Sequence, residues 1–216
     1  SIKSDLSFVG MKEEDWANNW KKYFKPIEIG KRLTICPEWE HYTSSQRKVL
    51  RIDPGSAFGT GDHATTRLCL EFLDQVIKGG ENVLDVGTGS GILSAASVLL
   101  GANSALGADI DENSVNIARG TAKLNNLHNC TFIQNNLVAG ITGQFDIILA
   151  NIVADIVIRL APDIPPLLAP GGLFISSGII DERLEEVQNK LKELSFDILD
   201  VRMSDGWAAI MARPQS

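Results

Sequence analysis

The chain has 216 residues, of which 44% are hydrophobic and 22% are charged, a balance typical of a soluble globular protein. This length is sufficient for one main domain with a large buried core. The formal net charge of −7 argues against an extended nucleic-acid-binding surface, which needs clustered Lys and Arg. It favours a basic protein or a small molecule as the partner.

The three cysteines, Cys36, Cys69 and Cys130, lie far apart and form no C-x-x-C pair. Neither a disulfide framework nor a zinc site is indicated, so we expect no metal and a reducing compartment. No apolar run approaches the roughly 20 residues that a membrane helix needs. Residues 1–30 carry acids and tryptophans in place of a signal-peptide core. These observations predict a cytoplasmic protein.

Aromatic residues recur at helical spacing near the N terminus, at Trp16, Trp20, Tyr23 and Phe24. Acids precede them and lysines follow, so residues 13–24 are predicted to form an amphipathic helix that ends at Pro26. We favour packing of its aromatic stripe against the main domain, with partner binding as the alternative. Residues 1–30 are expected to be a linker helix or extension, and residues 31–216 the main domain.

Two short β-like runs, at residues 33–36 and 49–52, predict a small β element ahead of the main domain. The segment that follows, residues 53–63, contains three glycines, an aromatic residue and a histidine. Such a segment is either a wide connecting loop or a lid that closes over a ligand, and we favour the lid. A helix is predicted after it, ending near Val76.

Three residues in and after this segment are candidates for contact with a ligand. Phe58 is placed to cover an adenine or a sulfonium. Thr66 is placed to hydrogen-bond a carboxylate or to cap the helix. His63 is placed to touch the ligand or an acceptor, although a lone histidine in a loop is more often structural.

The stretch V-L-D-V-G-T-G-S-G-I-L at residues 83–93 predicts a buried strand, a glycine-rich turn and the start of a helix. Gly87, Gly89 and Gly91 are expected to let backbone N–H groups approach a ligand at the positive end of that helix. A dinucleotide fingerprint requires a third glycine where Ile92 stands. The turn therefore predicts a different nucleotide ligand, or else it is purely structural.

The next predicted strand, residues 104–111, ends in acids. Asp109 lies about 20 residues beyond the glycines, where a carboxylate reaches a ribose hydroxyl. An acid at this point selects an adenosine-like ligand without a phosphate on the 2′ oxygen. Asp111 or Asn113 is expected to cap the helix predicted at residues 115–125, which leaves Asp109 free to bind.

Strands and helices keep alternating beyond residue 125. Strands are predicted at residues 131–134, 145–150 and 173–176, the last of them after a turn at 170–172. Helices are predicted at residues 156–168, with breaks at the prolines, and at residues 182–194. A closing pair of strands is predicted at residues 196–203 and 207–212. This order predicts an α/β fold with a doubly wound, mostly parallel sheet and a C-terminal antiparallel hairpin. Ligands of such sheets bind at the carboxyl ends of the strands, here at Gly87, Asp109 and Asn151.

Asn151 is the candidate for chemistry, because it ends a predicted strand on the same edge as the glycine turn. Its side-chain oxygen can accept a hydrogen bond from an attacking amine while its amide nitrogen donates to a neighbour. The alternative is that Asn151 caps a helix starting at Val153.

From residue 16 to residue 213 the chain resembles the PrmA family, the methyltransferases of the large-subunit ribosomal protein L11. The matching pieces are W-x-x-x-W-K-K-Y-F-K-P, D-P-G-x-A-F-G-T-G-x-H-x-T-T, V-L-D-V-G-T-G-S-G-I-L, A-D-I-D, A-N-I-V-A, L-x-P-G-G, S-G-I and G-W. The glycine turn is shared by many methyltransferases, whereas the loop block and the tryptophan helix are specific. Ala64 departs from the family, which usually has proline after this histidine.

The resemblance implies a Rossmann-like, seven-stranded class I methyltransferase fold with S-adenosyl-L-methionine as cofactor. It implies methyl transfer to lysine side chains or the α-amino group of a ribosomal protein of the large subunit, with no membrane or nucleic acid as partner. It also implies that most of the family's N-terminal substrate-recognition domain is missing. The resulting cofactor-binding candidates are Phe58, Thr66, Gly87, Gly89, Gly91, Asp109, Ile110 and Asn151, and the catalytic candidates are Asn151 and His63.

Three alternatives remain open at this point. A nicotinamide oxidoreductase shares this type of sheet but needs the third glycine. A cofactor-binding module without catalysis fits a chain that lacks the presenting domain. A methyltransferase of another protein, of a small molecule or of amino groups on nucleic-acid bases fits the A-N-I-V strand end, although the acidic balance opposes nucleic acid.

Overall fold

The computed structural model describes residues 24–54 and 61–215. Phe58 and the predicted helix at residues 13–24, apart from Phe24 itself, lie outside these described residues. Within them, no helix has the length and apolar character needed to cross a membrane.

A small three-stranded sheet opens the described part. It consists of β1 (Ile27–Ile29), β2 (Leu33–Pro37) and β3 (Lys48–Ile52), with β1 antiparallel and β3 parallel to β2. The two predicted runs are confirmed as β2 and β3. We did not predict β1, because three residues are too few to show an alternating pattern. The domain boundary expected at residue 30 falls in the turn between β1 and β2, which pair across it.

The main sheet contains seven strands. They are β4 (Asn82–Val86), β5 (Ser104–Asp109), β6 (Cys130–Gln134), β7 (Phe145–Asn151), β8 (Leu168–Ile180), β9 (Phe196–Ser204) and β10 (Trp207–Pro214). Their order is β6-β5-β4-β7-β8-β10-β9, the first five are parallel, and β10 is antiparallel to both of its neighbours. The expected mostly parallel sheet with a C-terminal hairpin is confirmed.

Helices cover both faces of this sheet. They are α1 (Ala64–Val76), α2 (Ile92–Leu100), α3 (Glu112–Leu124), α4 (Ala154–Leu160) and α5 (Leu184–Glu193). Because side chains alternate along a strand, Val83 packs with α1 and α2 in one core cluster and Leu84 with α4 and α5 in another. This arrangement confirms the doubly wound architecture.

The breaks predicted at the prolines of the helix at residues 156–168 are confirmed, whereas the end of this helix and the start of the next strand were predicted wrongly. The helix predicted at residues 156–168 ends at Leu160, and two short 3₁₀ turns, Ala161–Asp163 and Pro165–Leu167, replace its second half. Proline cannot donate the backbone hydrogen bond that an α-helix needs. The predicted turn at residues 170–172 lies inside β8, whose pairing with β7 is irregular before Leu173.

Two side chains fix the small sheet to the helices. Asp74 of α1 accepts hydrogen bonds from the backbone nitrogens of Lys31 and Arg32 at 2.8 and 3.0 Å. Asn125, at the end of α3, accepts from the nitrogen of Arg51 and donates to its oxygen, both at 2.7 Å. These contacts attach the small sheet to the C-terminal part of α1 and to the end of α3.

Candidate functional site

A cavity of about 280 Å³ lies at the carboxyl edge of the main sheet. Apolar side chains and a few hydroxyl and amide groups form its walls, as in many small-molecule sites. The predicted site residues that line it are His63, Thr66, Gly87, Gly89 and Asn151. The structure therefore brings the glycine turn, the N-terminal end of α1 and the end of β7 to one place.

The glycine turn follows β4 directly, and its three glycines have φ angles of 73°, 53° and 75°. These values lie in the left-handed region that glycine adopts without strain. Protein atoms accept hydrogen bonds from the N–H groups of all three glycines. Gly87 donates to the oxygen of Ala108, Gly89 to the carboxylate of Asp109 and Gly91 to the oxygen of Thr88.

Gly91 does not line the cavity. A Cβ atom at this position would lie 2.7 Å from the Cβ of Ala118 and 3.2 Å from the ring of Phe132. The missing side chain at Gly91 therefore allows α3 and β6 to pack closely against the turn. At Gly87, by contrast, an added Cβ would lie 2.5 Å from Cγ2 of Ile152, which lines the cavity.

Asp85 is a buried acid in β4 that the sequence analysis did not single out. Its Oδ2 accepts hydrogen bonds from the hydroxyls of Thr88 and Ser94, both at 2.7 Å, and from the nitrogen of Ser94 at 3.2 Å. Burial raises the pKa of Asp85, and these donors oppose that shift. Asp85 thus ties the glycine turn to the first residues of α2. An acid inside an otherwise apolar strand was the available signal.

Asp109 ends β5 beside the glycine turn. Its Oδ2 accepts from Gly89 at 2.9 Å, and its Oδ1 accepts from the nitrogen of Asp111 at 3.0 Å. Asp111 caps α3 by accepting from the nitrogens of Asn113 and Ser114, so the cap alternative involving Asn113 was wrong. Each carboxylate oxygen of Asp109 retains a second lone pair for a ligand.

The side chain of Ile110, which follows Asp109, is 68% exposed. It lies outside the group of described residues that line the cavity. Ile110 stays a candidate for contact with the cofactor because it directly follows Asp109 at the end of β5.

Asn151 lies at the end of β7, and its Nδ2 donates to Oγ1 of Thr66 at 3.3 Å. The alternative that Asn151 caps the next helix was wrong, because Val153 occupies the cap position of α4 without a side-chain hydrogen bond. In the described part of the chain, no group donates to Oδ1 of Asn151. The amide oxygen is therefore available to a bound group.

The N-terminal end of α1 forms the wall opposite the glycine turn. His63, rather than Thr66, caps this helix, and its Nδ1 accepts from the nitrogen of Thr65 at 3.4 Å. The imidazole also packs edge-on against the ring of Trp207, with 5.1 Å between the ring centres. Ser177 of β8 donates to the backbone oxygen of Thr65 at 3.1 Å. These contacts support a structural role for His63 beside any contact with the ligand.

Several residues that line the cavity were missed by the sequence analysis, namely Thr88, Ser90, Ile152, Val153, Gly178 and Trp207. The S-G-I and G-W pieces contain two of them, yet no rule of spacing assigns those pieces to the site. An added Cβ at Gly178 would lie 2.5 Å from the backbone oxygen of Ile152. Gly178 and Gly87 therefore both leave room for Ile152.

The family model that matches this chain, over residues 2–215, is described as ribosomal protein L11 methyltransferase (PrmA). A ribosomal protein L11 methyltransferase from Caldanaerobacter subterraneus subsp. tengcongensis is 47% identical, with 99% of this chain and 68% of that protein aligned. One from Caldicellulosiruptor saccharolyticus is 50% identical, with 98% and 69% aligned.

A solved structure carries the same relationship. The ribosomal protein L11 methylase from Lactobacillus delbrueckii subsp. bulgaricus superposes with a TM-score of 0.83 at 34% identity, covering 90% of this chain and 100% of that one. The sequence motifs and the strand order of the main sheet are those expected for such a methyltransferase. With its seven-stranded class I methyltransferase fold, the chain belongs to the ribosomal protein L11 methyltransferase (PrmA) family.

Proposed function

We propose that this enzyme, an S-adenosyl-L-methionine-dependent methyltransferase, transfers methyl groups to lysine side chains and the α-amino group of ribosomal protein L11. Membership of the PrmA family and the names of its relatives support this substrate. The observation that carries the proposal is the convergence of Gly87, Thr66 and Asn151 on one cavity. The cavity thus combines a surface for the cofactor at Gly87 with a polar group for the acceptor amine at Asn151.

Two observations support the fit of an adenosyl cofactor to this cavity. Gly87 and Gly89 line the cavity together with the apolar side chains of Ile92 and Leu93, so a planar adenine group would meet glycine backbone and apolar walls. Asp109 presents a carboxylate beside the glycine turn, in the place where an acid accepts hydrogen bonds from ribose hydroxyls. We propose that Thr66, Gly87, Gly89, Asp109, Ile110 and Asn151 hold the cofactor, with Phe58 as a further candidate. When bound, the cofactor supplies an electrophilic methyl group on a sulfonium.

The residues of this chain would prepare the acceptor amine. Oδ1 of Asn151 accepts a hydrogen bond from the amine, and the bond to Thr66 fixes the direction of that oxygen. The apolar surfaces of Ile152, Val153 and Trp207 exclude water from the cavity. Such desolvation lowers the pKa of a lysine amine, so the amine enters as the neutral nucleophile. His63, at the rim, contacts the acceptor.

The remaining partners and the compartment follow from the same proposal. A protein of the large ribosomal subunit is the expected partner, and the negative net charge favours such a basic protein over nucleic acid or an anionic membrane surface. The site of action is then the cytoplasm. Residues 31–216, extended by β1, form the catalytic domain, and the residues before β1 form the extension.

The test is transfer of radiolabelled methyl groups from the cofactor to purified ribosomal protein L11. We expect label on lysine side chains or the α-amino group, located by mass spectrometry. The matched control is L11 whose amines have been acetylated, which should take up no label. If calorimetry detects cofactor binding but no methyl group is transferred to L11, the proposed substrate is refuted and the proposed cofactor stands.

A further inference from the structure

Exposed apolar side chains concentrate at one edge of this molecule. Among the described residues, five large hydrophobic side chains are exposed, namely Ile110, Val153, Ile180, Leu199 and Met203. All except Leu199 lie at or near the point where a strand reaches the carboxyl edge of the main sheet. Single exposed apolar residues are ordinary, but a concentration at one edge marks a binding surface.

Two of these residues lie beside the cavity and form a surface that we call the rim patch: Val153 and Ile180. Val153 lines the cavity and precedes α4. Ile180 ends β8 and pairs with Trp207, which also lines the cavity. The rim patch is thus continuous with the cavity on the side away from β5 and Asp109.

Carboxylates surround the rim patch. Asp155, Asp181 and Asp205 are exposed and lie within two residues of Val153, Ile180 and Trp207 respectively. The nitrogen of Asp181 donates to the oxygen of Gly206 at 3.1 Å, which brings the end of β8 next to the turn that carries Asp205. Together they give the mouth of the cavity a negative potential.

Both arginines within these segments, Arg183 and Arg202, are already paired with acids. Arg183 forms ion pairs with Asp155 at 2.7 Å and Glu186 at 2.6 Å. These hydrogen bonds raise the pKa of the Arg183 guanidinium, so it stays charged and paired. In the described part of the chain, Asp181 and Asp205 form no ion pair with a cation, and both face solvent.

We propose that the rim patch and its carboxylates dock the segment of the protein acceptor that carries the target amine, a basic segment with interspersed apolar side chains. This inference rests on the proposed protein methylation. The carboxylates attract the protonated lysine, and the apolar side chains remove water as the amine moves towards Asn151. A second copy of this chain fits poorly, because a symmetric contact would bring like charges together.

The test compares two double variants that each remove two exposed acids. Asp181→Asn with Asp205→Asn neutralises the rim, and asparagine tolerates the positive φ of 52° at Asp205. The control, Glu193→Gln with Asp197→Asn, changes the opposite edge, where α5 ends and β9 begins. Thermal unfolding checks that both variants fold.

We expect the rim variant to raise KM for L11 about tenfold at low salt, with kcat and the cofactor Kd unchanged. The control should leave KM within about twofold, and the wild-type KM should rise with ionic strength because salt screens the attraction. Equal KM values for both variants, or a wild-type KM independent of salt, would overturn the docking surface. A rim variant that changed only the sedimentation of the enzyme would also overturn it, because the surface would then join two copies of this chain. Absence of wild-type activity on L11 would instead remove the proposed function.

Discussion

The two sides of the cavity differ in how their residues are brought together. On the cofactor side, Asp85 bonds to Thr88 three residues away and to Ser94 nine residues away, and Gly89 bonds to Asp109 across 20 positions. The facing wall is assembled over much longer distances in sequence. Asn151 reaches Thr66 across 85 positions, and Ser177 reaches Thr65 across 112. The cofactor side is therefore largely local, whereas the acceptor side exists only in the completed sheet.

Ile152 is the point at which the two sides meet. Its side chain occupies the space next to Gly87, and its backbone occupies the space next to Gly178. Its nitrogen also donates to the oxygen of Ser177 at 3.1 Å. A change at this junction should disturb both sides, whereas changes further away should separate them.

The largest effect is expected from Gly178→Ala. A Cβ would lie 2.5 Å from the oxygen of Ile152 at a φ of 81°. Gly171 has a similar φ of 78° with no atom within 4 Å, so Gly171→Ala isolates the backbone strain of about 1 kcal/mol. We expect Gly178→Ala to cost several kcal/mol in urea unfolding and to abolish methyl transfer. Equal losses for the two variants would show that the junction tolerates the added methyl group.

Asn151→Ala should come next and should separate binding from chemistry. Loss of the amide leaves the amine without its orienting acceptor, so kcat should fall about 100-fold. The cofactor Kd, measured by calorimetry, should change less than about tenfold, since the glycine turn and Asp109 remain. A variant that loses affinity for the cofactor as strongly as it loses rate would limit Asn151 to cofactor binding and remove its role in orienting the amine.

Asp109→Asn should weaken cofactor binding and leave kcat nearly unchanged, the opposite of Asn151→Ala, and the effect should be smaller. An amide provides one acceptor oxygen where the carboxylate provides two, and hydrogen bonds to a charged group are stronger. We expect the cofactor Kd to rise about tenfold, with kcat at saturating cofactor nearly unchanged. A change in kcat alone would contradict the assignment of Asp109 to ribose binding.

Asp85→Asn should give the smallest effect, visible as a change in the pH dependence of stability. Because burial raises the pKa of Asp85 above 3.8, the folded state binds its proton more tightly than the unfolded state. The stability of the wild type relative to the variant should therefore be greatest near pH 4 and decline as pH rises through the raised pKa. Urea unfolding between pH 4 and pH 8 measures this difference, and a constant difference would contradict it.

The sequence predicted the cofactor side well, with one exception. The strand, turn and helix around Gly87 and the position of Asp109 follow from local patterns of apolar residues and glycine, and the structure confirms them. The partners of the glycine N–H groups were not predicted, since they depend on atoms such as the oxygen of Ala108 on the next strand. Periodicity does not report such partners.

By itself the sequence determined the alternation of strands and helices, the sheet type and the edge that carries the site, because these depend on local propensity and side-chain alternation. Only the tertiary structure decided the partner of Asn151, the packing of His63 against Trp207, and the places of Gly178 and Trp207 in the cavity. Those contacts join segments that are far apart along the chain. They form when β7, β8 and β10 pair and bring their ends to one edge, which no local pattern encodes.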